Sequence, residues 1–138
     1  MPFARDYGGL LDNRSFGGVQ VSRTYYTRGQ TGQQLQLSTA SSLQRQIHLG
    51  NVEIFTHHDL MDLIITEKDG KKHCEGIVTR NLINGEIAPF TGHAVILATG
   101  GYGNVYHKTT LAKNSNSSAM MRAYERGAYL ASPCFVQF

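Results

Sequence analysis

The sequence has 138 residues, 41% of them hydrophobic, which is enough for one domain with an apolar core. A net charge of +3 without a basic run argues against nucleic-acid binding, and two cysteines without a Cys-x-x-Cys pair predict neither a disulfide framework nor a zinc site. No apolar run approaches the roughly 20 residues that span a bilayer, and the N-terminus lacks a secretion signal, so we expect a protein of a reducing compartment.

The first part of the chain is predicted to be an extended, glycine-rich segment followed by one helix. Residues 1–30 show neither helical nor alternating periodicity. A helix is predicted from Thr31, because Thr31-Gly32-Gln33-Gln34 has the spacing of a capping box with Thr31 at the N-cap. Gly50 is predicted to end it in the left-handed conformation. Its apolar stripe comprises Leu35, Thr39, Leu43 and Ile47.

An antiparallel meander is predicted next. A short β-rich stretch over 51–55 leads into it, and turns are predicted at Asp69-Gly70 and at Asn84-Gly85, the latter with two positive φ angles. The three strands are predicted over 60–66, 74–81 and 86–90. The polar histidines at 57 and 58 are interpreted as the entry of the first strand, because adjacent strand residues face opposite ways and cannot share a metal.

The segment over 93–98 predicts a different kind of strand. Its apolar residues do not alternate, which is typical of a strand covered on both faces in a parallel sheet. It runs into Thr99-Gly100-Gly101, and ligands in α/β sheets bind beyond the carboxyl ends of strands. Glycines there let a ligand approach the main chain, so this turn is a candidate nucleotide site, with a simple tight turn as the alternative. No Gly-x-Gly-x-x-Gly motif is present.

The last part of the chain predicts a second helix and a final β-like stretch. The helix is predicted over 119–126, with a cap from Ser115, Asn116 or Ser117 and a stop at Gly127. The stretch over 128–138 is predicted to be extended. Together the elements predict a mixed α/β fold.

A second candidate for chemistry is the loop Arg14-Ser15-Phe16-Gly17-Gly18. A guanidinium and an aromatic ring beside flexible glycines could hold a planar carboxylate. A surface loop anchored by Phe16 is the alternative reading.

Five motifs in a fixed order resemble one family. They are Pro2-Phe3-Ala4-Arg5, Arg14-x-Phe16-Gly17-Gly18, Thr31-Gly32-Gln33-Gln34-Leu35, Ala94-Val95-Ile96-Leu97-Ala98-Thr99-Gly100-Gly101 and Arg126-Gly127-Ala128-Tyr129. The order and separations resemble the flavoprotein subunit of succinate dehydrogenase and fumarate reductase, with L-aspartate oxidase as the nearest relative. The resemblance implies an incomplete, Rossmann-like FAD-binding domain with the three-stranded meander and two helices.

The resemblance also implies site residues. It places Ala98, Thr99, Gly100 and Gly101 against FAD, the strand around His58-Asp59-Leu60 at the adenine, and Phe16 with Gly17 at a C4 dicarboxylate. Relatives carry Thr-Gly-Asp ahead of the second helix where this chain has Asn116-Ser117-Ser118, so Ser118 offers a hydroxyl in place of a carboxylate. No catalytic residue and no metal ligand is expected within 1–138, which corresponds to the middle of the domain without its glycine-rich first unit or its capping and catalytic portions.

The implied chemistry is hydride transfer between flavin and a C4 dicarboxylate, with electrons passed to an iron–sulfur subunit and on to quinone. A membrane-anchor subunit and a position at the cytoplasmic side of the inner membrane are implied as well. We expect the chain by itself to lack turnover, to bind FAD weakly and to self-associate. A fragment of L-aspartate oxidase and a non-enzymatic α/β binding module, in which Gly100-Gly101 is only a turn, are the alternatives.

Overall fold

The computed structural model describes residues 1–135, and the chain divides into two compact units, Met1–Ile54 and Phe55–Phe138. The first unit opens with loops and a small antiparallel sheet of β1 (Asn13–Arg14) and β2 (Thr24–Tyr25). The predicted extended segment is therefore confirmed apart from this sheet and one isolated bridge between Arg5 and Leu11.

Helix α1 (Thr31–His48) follows, and its predicted start is correct although its predicted cap is wrong. Gln30 occupies the N-cap position without a side-chain capping bond. The Thr31 hydroxyl instead accepts from the N–H of Thr27 and donates to its carbonyl, both at 3.0 Å. Thr27 is buried, so its main-chain groups need partners within the protein, and this requirement determines the role of Thr31.

The C-terminal end of α1 is the predicted one. Gly50 has φ +74°, its N–H donates to the carbonyl of Ile47, and the N–H of Asn51 donates to Gln46. These two bonds form a Schellman motif, which requires a residue in the left-handed conformation. Because 51–55 continues from this motif without strand pairing, the β-rich stretch predicted there is wrong. No side chain of α1 is buried: Leu35, Thr39 and Leu43 of its apolar stripe are exposed, and Ile47 is half-buried.

The second unit contains the predicted meander. Strands β3 (His58–Lys68), β4 (Lys71–Asn81) and β5 (Ile87–Thr91) form an antiparallel sheet in the order β3-β4-β5. Asp69 and Gly70 have φ +53° and +70°, the geometry of a tight two-residue hairpin. At the second turn only Gly85 has a positive φ, so the prediction of two such angles is wrong. The longer connection there lets the Asn84 side chain accept from the N–H of Glu86, at 3.0 Å.

The apolar segment over 93–98 forms no strand, which corrects the prediction of a buried parallel strand. Ile96 is 89% exposed. A parallel strand needs hydrogen-bonding neighbours in its sheet and cover on both faces, and none of the described residues pairs with this segment. The stretch over 128–135 is likewise irregular rather than β-like, and residues 136–138 of that prediction lie outside the described residues.

A 3-10 turn (Gly103–Val105) and helix α2 (Ser118–Glu125) complete the second unit. The predicted second helix is confirmed, shifted by one residue. Ser117 is the N-cap but makes no side-chain capping bond, whereas the Asn116 side chain accepts from the N–H of Ser118 at 3.2 Å. Gly127 follows the helix with φ +105°, as predicted for its stop. Helix α2 packs on β3.

The buried apolar side chains of the described residues are small. They belong to Ala119 and Ala123 of α2, while larger apolar side chains on α1 and over 93–98 are exposed. The length and composition allow an apolar core, but the one found among the described residues is small, because the larger apolar side chains lack partners there. The mixed α/β fold class, with two helices and antiparallel sheets, is confirmed. Neither helix in the described part of the chain combines the length and apolar character needed to cross a bilayer.

Candidate functional site

A cavity of about 230 Å³ in the second unit collects three segments that are distant in sequence. They are the first residues of β3, the Thr99-Gly100-Gly101 turn, and the first turn of α2 with the loop before it. The lining residues are His58, Asp59, Leu60, Thr99, Gly100, Gly101, Asn114, Asn116, Ser117, Ser118, Ala119 and Met120.

The start of β3 is shaped by its local backbone. His57 has φ +58°, and the His58 ring Nδ1 lies 2.8 Å from the carbonyl oxygen of Thr56, to which it donates. A β-bulge at Met61 interrupts the register, since Leu60 pairs with Thr79 and Asp62 with Val78. Bulges redirect side chains beside functional sites, and this one separates the cavity-lining residues from the rest of the strand.

The glycine turn supplies main chain to the cavity. Gly100 has φ +80°, a conformation that residues with a side chain rarely adopt. A Cβ at this position would lie 3.8 Å from the Ser115 hydroxyl oxygen, so space alone does not require glycine there. The absence of a side chain leaves the peptide groups of Gly100 and Gly101 accessible to a ligand.

The first turn of α2 presents hydrogen-bond donors beside the cavity. The Ser118 N–H is already accepted by the Asn116 side chain. The next N–H groups, at Ala119 and Met120, belong to the first turn of a helix, where N–H groups have no partner within the helix. Neutral amide and hydroxyl groups of the preceding loop add further donors and acceptors.

The charge of the cavity is low. Asp59 is its carboxylate, and this group lies 3.6 Å from the guanidinium of Arg80. No lysine or arginine lines the cavity in the part of the chain that the structure describes. Such a site favours a neutral polar group over a dianionic one, apart from what the helix terminus contributes.

The structure brings together most of the predicted cofactor residues. Six of them line the cavity: Asp59, Leu60, Thr99, Gly100, Gly101 and Ser118. Ala98 lies in a neighbouring apolar groove with Met120 and Tyr124. His58 belongs to the strand segment that the resemblance places at the adenine, and it lines the cavity beside Asp59 and Leu60. Sequence reasoning missed Asn114, because this residue stands in no motif or periodic pattern. Asn116 and Ser117 carried a signal, since they were candidate helix caps.

The predicted substrate residues lie in the first unit. Phe16 is 65% exposed, and Gly17 has φ +61°. The guanidinium carbon of Arg14 lies 5.6 Å from the centre of the Phe16 ring and 4.5 Å from that of Tyr26. The Tyr26 hydroxyl donates to the Asp12 carboxylate at 2.6 Å, and this hydrogen bond raises the pKa of Tyr26 above its usual value. The role of Phe16 and Gly17 at a substrate stays a prediction.

Comparison with known families decides the assignment of the chain. The sequence model of a family described as "FAD binding domain" matches residues 1–138. The chain belongs to the FAD binding domain family. FAD is accordingly the cofactor of the intact flavoproteins to which this family member is similar.

Curated relatives of this FAD binding domain carry the names predicted from the motifs. The chain is 38% identical over 135 residues to the succinate dehydrogenase flavoprotein subunit of Bacillus subtilis, covering 98% of this chain and 22% of that protein. It is 30% identical over 137 residues to the fumarate reductase flavoprotein subunit of Escherichia coli, covering 99% of this chain and 22% of that protein. The chain thus spans about a fifth of the length of the relatives it matches, and the predicted resemblance is confirmed.

Solved structures agree with these relatives. A quinol fumarate reductase of E. coli superposes with a TM-score of 0.73 at 28% identity, over 90% of this chain and 20% of that one. A quinol–fumarate reductase with menaquinol molecules gives 0.74 at 26% identity, over 91% and 21%. The FAD binding domain fold predicted from the sequence therefore matches that of known enzymes.

The cavity fits part of an FAD molecule. At about 230 Å³ it is smaller than the roughly 300–1,000 Å³ of pockets that enclose a drug-sized ligand, so it can take one portion of a dinucleotide. Accessible peptide groups at Gly100 and the N–H groups of α2 suit ribose hydroxyls and ring nitrogens.

Proposed function

We propose that this chain forms the middle part of the FAD site in a flavoprotein subunit that interconverts succinate and fumarate. The observation that carries the proposal is the meeting of 58–60, 99–101 and 118 around one cavity, because the family resemblance implies that each of these segments contacts the cofactor. The names of the relatives and their length, about five times that of this chain, support the same conclusion.

We assign the cavity to the adenosine portion of FAD. Main-chain groups at Asp59 and Leu60 bind the adenine, and the peptide groups of Gly100 and Gly101 approach the cofactor without a side chain between them. The cavity has no basic side chain among its described residues, which favours the neutral nucleoside over the pyrophosphate. The Ser118 hydroxyl hydrogen-bonds the cofactor where relatives offer a carboxylate, and Ala98 with Thr99 packs along it.

We further propose that the Phe16-Gly17 loop borders the dicarboxylate. Bound FAD supplies the hydride acceptor or donor for the succinate–fumarate couple. The Phe16 ring, held by the stacked guanidinium of Arg14, provides an apolar wall that excludes water from one side of the substrate. The groups that move the proton lie outside this chain in the proposal, so the isolated chain has no turnover.

The proposed partners of the intact subunit are taken from the kind of enzyme that its similar structures are. Two of the similar solved structures are quinol–fumarate reductases, one with menaquinol molecules. An iron–sulfur subunit that takes electrons from the flavin and a membrane-anchor subunit that exchanges them with quinone are the proposed partners. The subunit would then lie at the cytoplasmic side of the inner membrane and be attached through those partners.

The cofactor site is tested by substituting a cavity glycine and a matched turn glycine. Gly100 and Gly85 have nearly equal φ angles, +80° and +78°, so valine strains both backbones alike. In the complete gene product, Gly100→Val should weaken FAD binding at least about tenfold, the equivalent of about 1.4 kcal/mol, because a branched side chain enters the site. Gly85→Val should leave the affinity for FAD unchanged, since Gly85 lies in the turn between β4 and β5. Equal affinities for the two variants, measured by quenching of flavin fluorescence, would contradict the assignment.

The reaction is tested separately from the cofactor. The complete gene product with FAD bound should reduce fumarate with an artificial electron donor. A flavin-loaded protein that neither reduces fumarate nor oxidises succinate would remove the substrate assignment and leave the cofactor assignment standing.

A further inference from the structure

An ion pair joins the end of α2 to the middle of β3. The Arg126 Nε donates to the Asp62 Oδ1 at 2.8 Å, and its terminal nitrogen donates to the Asp62 Oδ2. The pair is a two-point fork between residues 64 positions apart in sequence. Forked arginine–carboxylate pairs fix orientation as well as distance, unlike single-contact surface pairs.

A second contact holds the same end of the helix. The Lys72 ammonium group on β4 donates to the main-chain carbonyl of Arg126 at 3.0 Å. Arg126 is the C-cap residue of α2, so its side chain is bound to β3 and its main chain to β4. Both contacts lie at the end of the helix opposite the cavity.

Apolar packing alone holds α2 weakly. Its buried side chains are Ala119 and Ala123, which bury little apolar area, and its larger Met120 is only half-buried. The helix has 8 residues, about 12 Å at 1.5 Å per residue, so a rotation at its C-terminal end shifts its first turn by a similar angle. Its orientation therefore depends on the polar contacts at Arg126.

Strand β3 connects the ion pair to the cavity. Asp62 follows the cavity-lining residue Leu60 with only the bulged Met61 between them. The same strand therefore carries one part of the cavity lining and the anchor of the helix whose first turn forms another part of it.

We propose that the Asp62–Arg126 pair is a positioning clamp that sets the orientation of α2 and thereby the geometry of the cavity at its N-terminus. Its consequence for FAD rests on the proposed function, whereas its consequence for the helix does not. Asp62 and Arg126 are positioning residues, since neither lines the cavity.

The test uses two measurements on the complete gene product, prepared flavin-free from riboflavin-starved cells. Asp62→Asn and Arg126→Gln should each raise hydrogen exchange of the α2 amides and the dissociation constant for FAD by about fivefold, the upper range for an exposed pair of good geometry. Arg126→Lys keeps the charge but not the fork, and should give part of the effect. The exchanged pair, Asp62→Arg with Arg126→Asp, should recover both values if the contact itself matters.

The matched control is Glu75→Gln, which removes the exposed Lys68–Glu75 pair at the far end of the same hairpin. It should change neither measurement. Unchanged α2 exchange in Asp62→Asn and Arg126→Gln, or an equal effect of Glu75→Gln, would overturn the clamp. A wild-type protein that binds no FAD would refute the proposed function, and the exchange measurement would still decide the clamp. If Asp62→Asn or Arg126→Gln fails to fold, the Arg126→Lys variant and the exchanged pair test the clamp by the same two measurements.

Discussion

Gly76 lies in β4 where its neighbour strand comes closest. A Cβ at Gly76 would overlap the carbonyl oxygen of Phe90 on β5 and lie 3.0 Å from the Thr91 Cα. The obstacle is backbone, which cannot move without disturbing the strand pairing. We predict that Gly76→Ala lowers the free energy of unfolding by about 1–3 kcal/mol, measured by urea denaturation.

Gly92→Ala is the control for Gly76. Its Cβ would meet the Ala94 carbonyl oxygen at 3.7 Å, an ordinary contact. If Gly92→Ala lost as much stability as Gly76→Ala, the loss would come from replacing a glycine in general and not from crowding against β5.

Asp62 makes the stability of the second unit depend on pH. The hydrogen bond from Arg126, followed by the N–H of Leu63, lowers the pKa of Asp62 from 3.8 to about 2. Because the folded pKa lies below the unfolded value, the contribution is complete above about pH 4 and is lost as the pH falls towards 2. Arg122 adds a smaller effect of the same sign.

We therefore predict that wild type and Asp62→Asn differ most in their urea midpoints at about pH 6, and that the difference disappears near pH 2. A difference that stays constant over this range would show that the Asp62 charge does not contribute. Glu75 provides the control again. Its pKa is also lowered, chiefly by the hydrogen bond from Lys68. The part of the pH dependence that Glu75→Gln removes should therefore persist in a variant that lacks the Arg126 guanidinium.

At the scale of elements, α1 ends at a defined residue. Gly50 has φ +74° and carries one of the two Schellman hydrogen bonds. We predict that Gly50→Ala destabilises α1 by about 1–2 kcal/mol, the cost of a left-handed residue with a Cβ. Gly32→Ala, in the first turn of the same helix with open space around it, should instead be neutral or stabilising. Helical circular dichroism during urea titration measures both, and equal effects would contradict the Schellman explanation.

The elements show which predictions were possible from local sequence. The Asp69-Gly70 hairpin and the stop of α2 at Gly127 follow from conformations that few residues adopt, so the pattern predicts them directly. The capping box at Thr31 failed because a buried main-chain group at Thr27 competes for the hydroxyl. The prediction of a strand over 93–98 was wrong because a strand forms only beside a second strand that completes its main-chain hydrogen bonds.

At the scale of the whole molecule, the cavity accommodates only part of FAD. We predict that calorimetric titration of the 138-residue chain with FAD gives a dissociation constant weaker than about 1 μM, because contacts to the rest of the cofactor lie outside the chain in the proposed function. Nanomolar affinity would contradict this. The large apolar side chains exposed on α1 and over 93–98 also favour self-association, which stays a prediction.

The sequence by itself determined the helices, the meander and the family, because turn residues, apolar spacing and short motifs act within a few positions of each other. The tertiary structure alone decided that Asn114 joins the cavity, and that Arg126 binds Asp62 across 64 residues. It also decided that Ile96 and Leu97 are exposed. These outcomes depend on which groups distant in sequence come into contact. The packing of α2 on β3, which no local pattern predicts, brings Arg126 to Asp62.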